Sequence, residues 1–141
     1  MAPQRSAGHR TVPHTADLRI EGWAPTAARC VAEAVLALVE SFAEIPPDAP
    51  AMDREILIGG RDPAGRLADA LDEVIYRMDT AGELPRTVRV REEGEGMRLT
   101  LGMVDIDRVA LVGAVPKAVS MHELRFTEEP GGWRCEVTLD V

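Results

Sequence analysis

The apolar residues of this 141-residue chain change period partway along it. Val31, Ala34, Val35, Leu38, Val39 and Phe42 recur at steps of three and four, and Leu67, Ala70, Leu71, Val74, Ile75 and Met78 repeat the pattern. That spacing puts each set on one face of a helix. From Thr87 onward the period falls to two, through Val88 and Val90, then Met97, Leu99 and Leu101, and finally Trp133, Cys135, Val137, Leu139 and Val141. Alternation at two is the mark of a strand with one buried face. Helical patterning early and strand patterning late, within the length of one domain, point to an α+β fold. The expectation is a single domain in which two amphipathic helices cover one face of a largely antiparallel sheet of about six strands.

Local signals set the boundaries. Pro25 suits a first helical turn, and the first helix is expected over Thr26 to Glu44, with Pro46-Pro47 ending it. Asp62-Pro63 reads as an N-cap and first-turn proline for the second helix, and Gly82 as its stop. Arg10 to Trp23 alternates loosely around a polar interruption, His14-Thr15-Ala16-Asp17, and Glu55 to Gly60 is a short strand. Residues 1–9, polar and Pro-bearing, read as a flexible N-terminal tail before a domain spanning 10–141.

Charge narrows the function. Lys and Arg number 16 against 24 Asp and Glu, a formal net charge of -8. A general nucleic-acid binder carries a basic footprint, and an anionic membrane surface also attracts basic segments, so neither partner is expected to be bound directly. No apolar run approaches the length of a membrane span, and Met1 to Arg10 shows no signal-peptide core. Cys30 and Cys135 are too few for a disulfide scaffold and read as core thiols in a reducing, cytoplasmic setting.

The last two strands place a candidate site. They are joined through Glu128-Glu129-Pro130-Gly131-Gly132. If Phe126 pairs near Trp133, opposing residue numbers sum to about 259, and Lys117 or Ala118 falls beside Asp140 or Val141. The apolar phase changes between Met121 and Leu124, which calls for a bulge near Ser120 and His122. Farther back, His14 and Asp17 form an HxxD pair that by itself is read first as a loop cap. Carboxylates suit hard divalent ions, and Asp17 and Asp140 could supply two oxygens. No HExxH, EF-hand loop or Cys/His zinc set accompanies them. Glu33, Glu40, Asp69, Asp72 and Glu73 read as solvated helix face, and Asp105 and Asp107 as an exposed strand edge. Ser120 and His122, two residues apart, are too little for a nucleophilic triad.

Val12-Pro13-His14-Thr15-Ala16-Asp17 resembles the opening signature of the archease family. Leu67 to Asp79 is similar to that family's second helix, Lys117-Ala118-Val119-Ser120-Met121-His122 to its Lys-Ala-Val-Thr-aromatic-His segment, and Leu139-Asp140-Val141 to its terminal Leu-Asp-Ile. The resemblance covers residues 10–141. It implies an accessory protein, not a free-standing enzyme. Archeases assist the tRNA-splicing RNA ligase that joins 2′,3′-cyclic phosphate or 3′-phosphate ends to 5′-hydroxyl ends, using GTP and manganese through a guanylylated histidine. They are thought to promote guanylylation and repeated turnover. By the resemblance Asp17 and Asp140 match metal-binding acids, with calcium expected and magnesium or manganese as alternatives. Lys117 matches a functional basic position, and His14 and His122 match motif residues that would face the partner.

Two departures stand out. Ser120-Met121 replaces the usual Thr-aromatic pair, and Val109 to Pro116 is apolar where the family often has a polar, basic or histidine-containing approach. The runner-up reading is a chaperone-like binding module for another RNA- or DNA-modifying enzyme, such as a methyltransferase. A third is an independent metal-dependent hydrolase with His14 or His122 as base.

Overall fold

A computed structural model describes residues 6–13, 17–60 and 62–141. Among these residues the order is β1 (Gly8–Pro13), β2 (Leu18–Ala24), α1 (Ala27–Glu40), β3 (Ala43–Glu44), β4 (Ala51–Ile58), α2 (Pro63–Ala81), β5 (Glu83–Glu93) and β6 (Gly96–Asp105). A 3-10 turn (Ile106–Arg108), β7 (Ala110–Leu111), β8 (Ala118–Glu129) and β9 (Gly132–Asp140) follow. The α+β class and the two helices stand, but the single sheet of about six strands does not. The strands form three antiparallel sheets: β1-β2-β9-β8, β4-β6-β5 and the short pair β3-β7.

The helices form where capping and periodicity agree. Thr26 accepts the Arg29 N–H at 3.2 Å and caps α1. Asp62 accepts the Ala64 N–H at 3.3 Å and caps α2, with Pro63 in its first turn. Gly82 ends α2 in the left-handed conformation, φ 64°, its N–H bonded to the Met78 carbonyl. The first helix stops at Glu40, short of the expected Glu44. Ser41 turns its hydroxyl onto the Leu38 carbonyl at 2.6 Å, and Ala43–Glu44 leave as β3.

The helices also do not sit over one face of one sheet. The first contacts β1, β2 and β9 on one hand and β5 on the other, while α2 contacts β8 as well as β4 and β5. Buried positions on α1 run from Cys30 and Ala37 round to Val39, wider than the ~100° stripe of a helix covering a single surface. The helix pair therefore fills the space between the two larger sheets, and one core joins Ile20, Val35, Leu38, Leu71, Leu99 and Leu139. Close approach of β2 to α1 uses Gly22, where a Cβ would lie 3.1 Å from Cys135 Sγ and 3.4 Å from the Ala34 nitrogen.

The N-terminal boundary moves as well. Strand β1 starts at Gly8, inside the stretch read as tail; residues 1–5 lie outside the described residues. The segment Arg10 to Trp23 is a hairpin of two strands, with Gly8 opposite Trp23 and Pro13 opposite Leu18.

Candidate functional site

Three of the sequence-derived residues meet at one end of the four-stranded sheet. In its middle, β2 pairs with β9 so that Leu18 lies opposite Leu139. Asp17 is one residue outside this ladder and level with Asp140. On the other side of β9, Ala118 lies opposite Asp140, and the Lys117 N–H donates to the Asp140 carbonyl at 2.7 Å. Asp17 is half-buried, and Lys117 and Asp140 are exposed.

The β8–β9 bulge is what brings Lys117 here. Near the turn Phe126 pairs with Cys135 and Glu128 with Trp133. This differs from the expected Phe126–Trp133 pairing because the loop is shorter than the sequence suggested. Glu129 pairs directly with Gly132, leaving only Pro130 and Gly131 (φ 84°) in the turn. Between Arg125–Glu136 and Ser120–Thr138 the register shifts, so Met121 to Leu124 stand opposite Val137 alone. Glu123, φ 68°, is the non-glycine residue with left-handed backbone among those described. Had the register near the turn continued unbroken, Met121 would face Asp140; the extra residues put Ala118 there instead.

His122 lies in this bulge, exposed, and its carbonyl accepts the Ser120 hydroxyl at 3.3 Å. It is four residues on along β8 from the Ala118–Asp140 pair. His14 lies outside the described residues.

The charge environment separates the tip from the rest of the outer sheet face. Alternation puts Arg19, Glu21, Arg134 and Glu136 on the face turned away from the helices. Glu21, 4% exposed, accepts from Arg10 and from Arg134 at 3.0 Å, with Arg19 at 3.6 Å. Arg19 also donates to Glu136 at 3.0 Å, while its Nε is buried without a hydrogen-bond partner among the described residues. These carboxylates are neutralised by guanidinium groups. Among the described residues no side-chain ion pair reaches Asp17, Asp140 or Lys117, so the two acids at this end are not neutralised by a guanidinium or ammonium contact.

Such a pair has the chemistry of a hard-cation site. Side chains of opposed residues on adjacent strands lie ~5 Å apart, and carboxylate oxygens suit calcium or magnesium. No group of three or more His, Cys, Asp or Glu side chains able to hold an ion is present among the described residues. Two carboxylates alone do not complete the six to eight oxygen ligands of calcium, so an ion held there would need further ligands from backbone carbonyls, water or a partner.

Two contacts that the sequence did not disclose hold the surrounding elements. Glu33 and Glu40, read as solvated helix face, bracket His9: Glu33 meets its Nδ1 and Glu40 its Nε2, tying β1 to α1. Burial pulls this imidazole down, but the two carboxylates together outweigh it and raise His9 above its ordinary value. Asp72 on α2 faces the backbone of Val119 on β8, two residues from Lys117, and that backbone draws its carboxyl down. Desolvation and the neighbouring Asp69 nevertheless push the Asp72 carboxyl above the usual range. The only available signal was residue type; the partners are 24, 31 and 47 positions away in sequence. Asp105, read as a strand edge, instead caps the 3-10 turn by accepting the Asp107 N–H at 2.9 Å. Both cysteines are buried, and among the described residues no helix is long and apolar enough to cross a membrane.

The molecule is thus a small α+β domain whose helix pair is enclosed between antiparallel sheets, with one acid-rich tip built from both ends of the chain. Residues 9–141 match the model of the archease protein family (MTH1598/TM1083). The probable protein archease of Mycobacterium tuberculosis is 50% identical over 141 residues, covering 99% of this chain and 78% of that one. Protein archease of Methanopyrus kandleri is 30% identical over 137 residues, 92% of this chain and 96% of its own. The solution structure of Methanobacterium thermoautotrophicum protein 1598 is similar with a TM-score of 0.75 at 25% identity, covering 95% of this chain and 99% of that one. The crystal structure of an archease and possible chaperone from Thermotoga maritima shares the fold, with a TM-score of 0.68 at 20% identity over 92% of this chain and 94% of that one. The chain belongs to the archease family.

Proposed function

We propose that this protein is a cytoplasmic accessory factor of the GTP-dependent tRNA-splicing RNA ligase, promoting its guanylylation and multiple turnover without itself being the enzyme. Family membership supports the accessory role. The observation that carries the site is the convergence of Asp17, Lys117 and Asp140 at one sheet end, with both carboxylates left unpaired by arginine.

In this reading Asp17 and Asp140 hold a divalent cation, calcium first and magnesium or manganese as alternatives. Bound there, the ion would neutralise phosphate charge during nucleotidyl transfer. Lys117 supplies a compact point charge that binds a phosphate oxygen or orients a carboxylate. His14 and His122 face the partner. The acidic tip complements a basic ligase channel and repels RNA itself, so the recognised surface is protein.

The test is reconstitution with the cognate ligase, comparing joining of 3′-phosphate and 5′-hydroxyl RNA ends under multiple turnover. Wild-type protein is expected to increase turnover well beyond one product per ligase, and Asp140→Ala to remove the increase. Full stimulation by Asp140→Ala would refute the assignment.

A further inference from the structure

Between Val109 and Pro116 the chain turns apolar side chains outward. Val109 and Val115 pack partly against the core and Pro116 is buried, whereas residues 110–114 are exposed. Leu111 is 53% exposed and Val112 57%. The backbone beneath them is fixed. Leu111 pairs with Ala43 and Ala110 with Glu44, and the Val112 N–H donates to the Phe42 carbonyl at 2.7 Å. Gly113 is pressed so close to the end of α1 that a Cβ would sit 2.7 Å from the Ser41 carbonyl oxygen. The strap cannot roll over to bury Leu111 and Val112 without breaking these bonds. Apolar side chains held outward on an ordered backbone mark a contact surface, and a pre-ordered element loses little entropy on binding.

The strap shares an end of the molecule with the charged tip. Strand β2, seven residues, spans about 23 Å, and α1, 14 residues, runs back along it over about 21 Å. The residues after α1 therefore return to where Asp17 enters β2. The strap is bonded to residues 42–44 and leads through Pro116 into Lys117. Its charged neighbours are Glu44 across the pair and Arg108 and Lys117 on either side in the chain, with the tip acids Asp17 and Asp140 at the same end of the molecule. On a chain with a formal net charge of -8, an apolar strap with charges of both signs beside it offers no basic footprint to nucleic-acid phosphates. It fits a protein that sets an apolar patch within basic charge, the surface carried by an enzyme that channels RNA.

We infer that residues 110–114 are the docking element that seats this protein on the enzyme receiving its tip. This rests on the ligase reading and adds a division of labour: Leu111 and Val112 supply affinity, and Asp17, Lys117 and Asp140 act once docked.

The experiment titrates wild-type protein and L111S/V112S into a multiple-turnover assay of the cognate ligase, with direct binding measured by calorimetry. The double variant is expected to raise the half-maximal concentration and the binding Kd by at least about tenfold, from two lost apolar contacts. The plateau of stimulation should match wild type, and the melting temperature should be unchanged because both side chains are exposed. An unchanged half-maximal concentration overturns the inference and leaves the ligase reading intact. A lowered plateau at unchanged midpoint also overturns it, because the strap would then act in the chemistry. Absence of stimulation by wild type removes the ligase reading and the inference with it.

Discussion

The backbone N–H of Lys117 donates to the carbonyl of Asp140 at 2.7 Å, immediately beyond the last β8–β9 pair. The bond is made by the main chain, so it survives removal of the lysine ammonium. Lys117→Ala is therefore expected to keep stability within about 0.5 kcal/mol, as for an exposed surface position. It should nevertheless lose most of the stimulation of ligase turnover. Thermal melting and the reconstituted joining assay read the two effects separately. Retained stimulation would show that the ammonium has no part in the site.

Glu21 is nearly fully buried and is contacted by Arg10, Arg19 and Arg134. Its loss would leave three guanidinium groups facing one another across β1, β2 and β9. All three reach solvent in part, which limits the penalty. Glu21→Ala is expected to cost about 2 kcal/mol, the scale of charged hydrogen bonds. Denaturant unfolding measures it; a loss below about 0.5 kcal/mol, typical of plain surface substitutions, would mean that the cluster is solvated surface only.

The His9 contacts with Glu33 and Glu40 make the attachment of β1 to α1 depend on pH. Both ring nitrogens meet a carboxylate, an arrangement satisfied by the imidazolium. The folded pKa is raised, so the stabilisation is fully present below the unfolded value of about 6.5 and disappears as pH rises through the folded value. His9→Gln should lower the melting temperature by about 3 °C at mildly acid pH, corresponding to about 1 kcal/mol. The difference should vanish in alkaline buffer. A gap between the two proteins that does not change with pH would contradict the linkage.

Gly22 lets β2 lie against α1. In Gly22→Ala the new methyl would press on Cys135 Sγ at 3.1 Å while touching the backbone of α1 at 3.4 and 3.5 Å. Overpacking of this kind costs about 1–3 kcal/mol. Unfolding titrations are expected to show that loss, and stability equal to wild type would mean that Cys135 gives way at no cost.

The sequence made the helices and the last hairpin legible because caps, periodicity and proline positions agreed at Thr26, Asp62, Pro63 and Gly82. It disclosed the bulge through the phase change between Met121 and Leu124. The partition into three sheets was not legible, since alternation identifies a buried face without naming the strand beside it. The wide buried arc of α1 carried that information, but a small residue off the stripe such as Ala37 looks neutral until something packs on it. The tip was legible in part. Hairpin arithmetic pointed to Lys117 and Asp140, but it is the size of the bulge that brings them together from a turn pairing other than the one expected, whereas Asp17 joins them only through the β2–β9 pairing between opposite ends of the chain. Glu33 and Glu40 looked like solvated charge because their partner, His9, is distant in sequence.

The central claim is that Asp17 and Asp140 act together on one cation. The direct test is a double-mutant cycle with Asp17→Asn, Asp140→Asn and the double variant, read as stimulation of multiple-turnover ligation with the divalent ion titrated. Two ligands of one ion are not independent, so each single substitution should lose most of the stimulation, and the double variant should lose little more than either alone. Losses that multiply independently, or full stimulation by either single variant at the same ion concentration, would contradict a shared site.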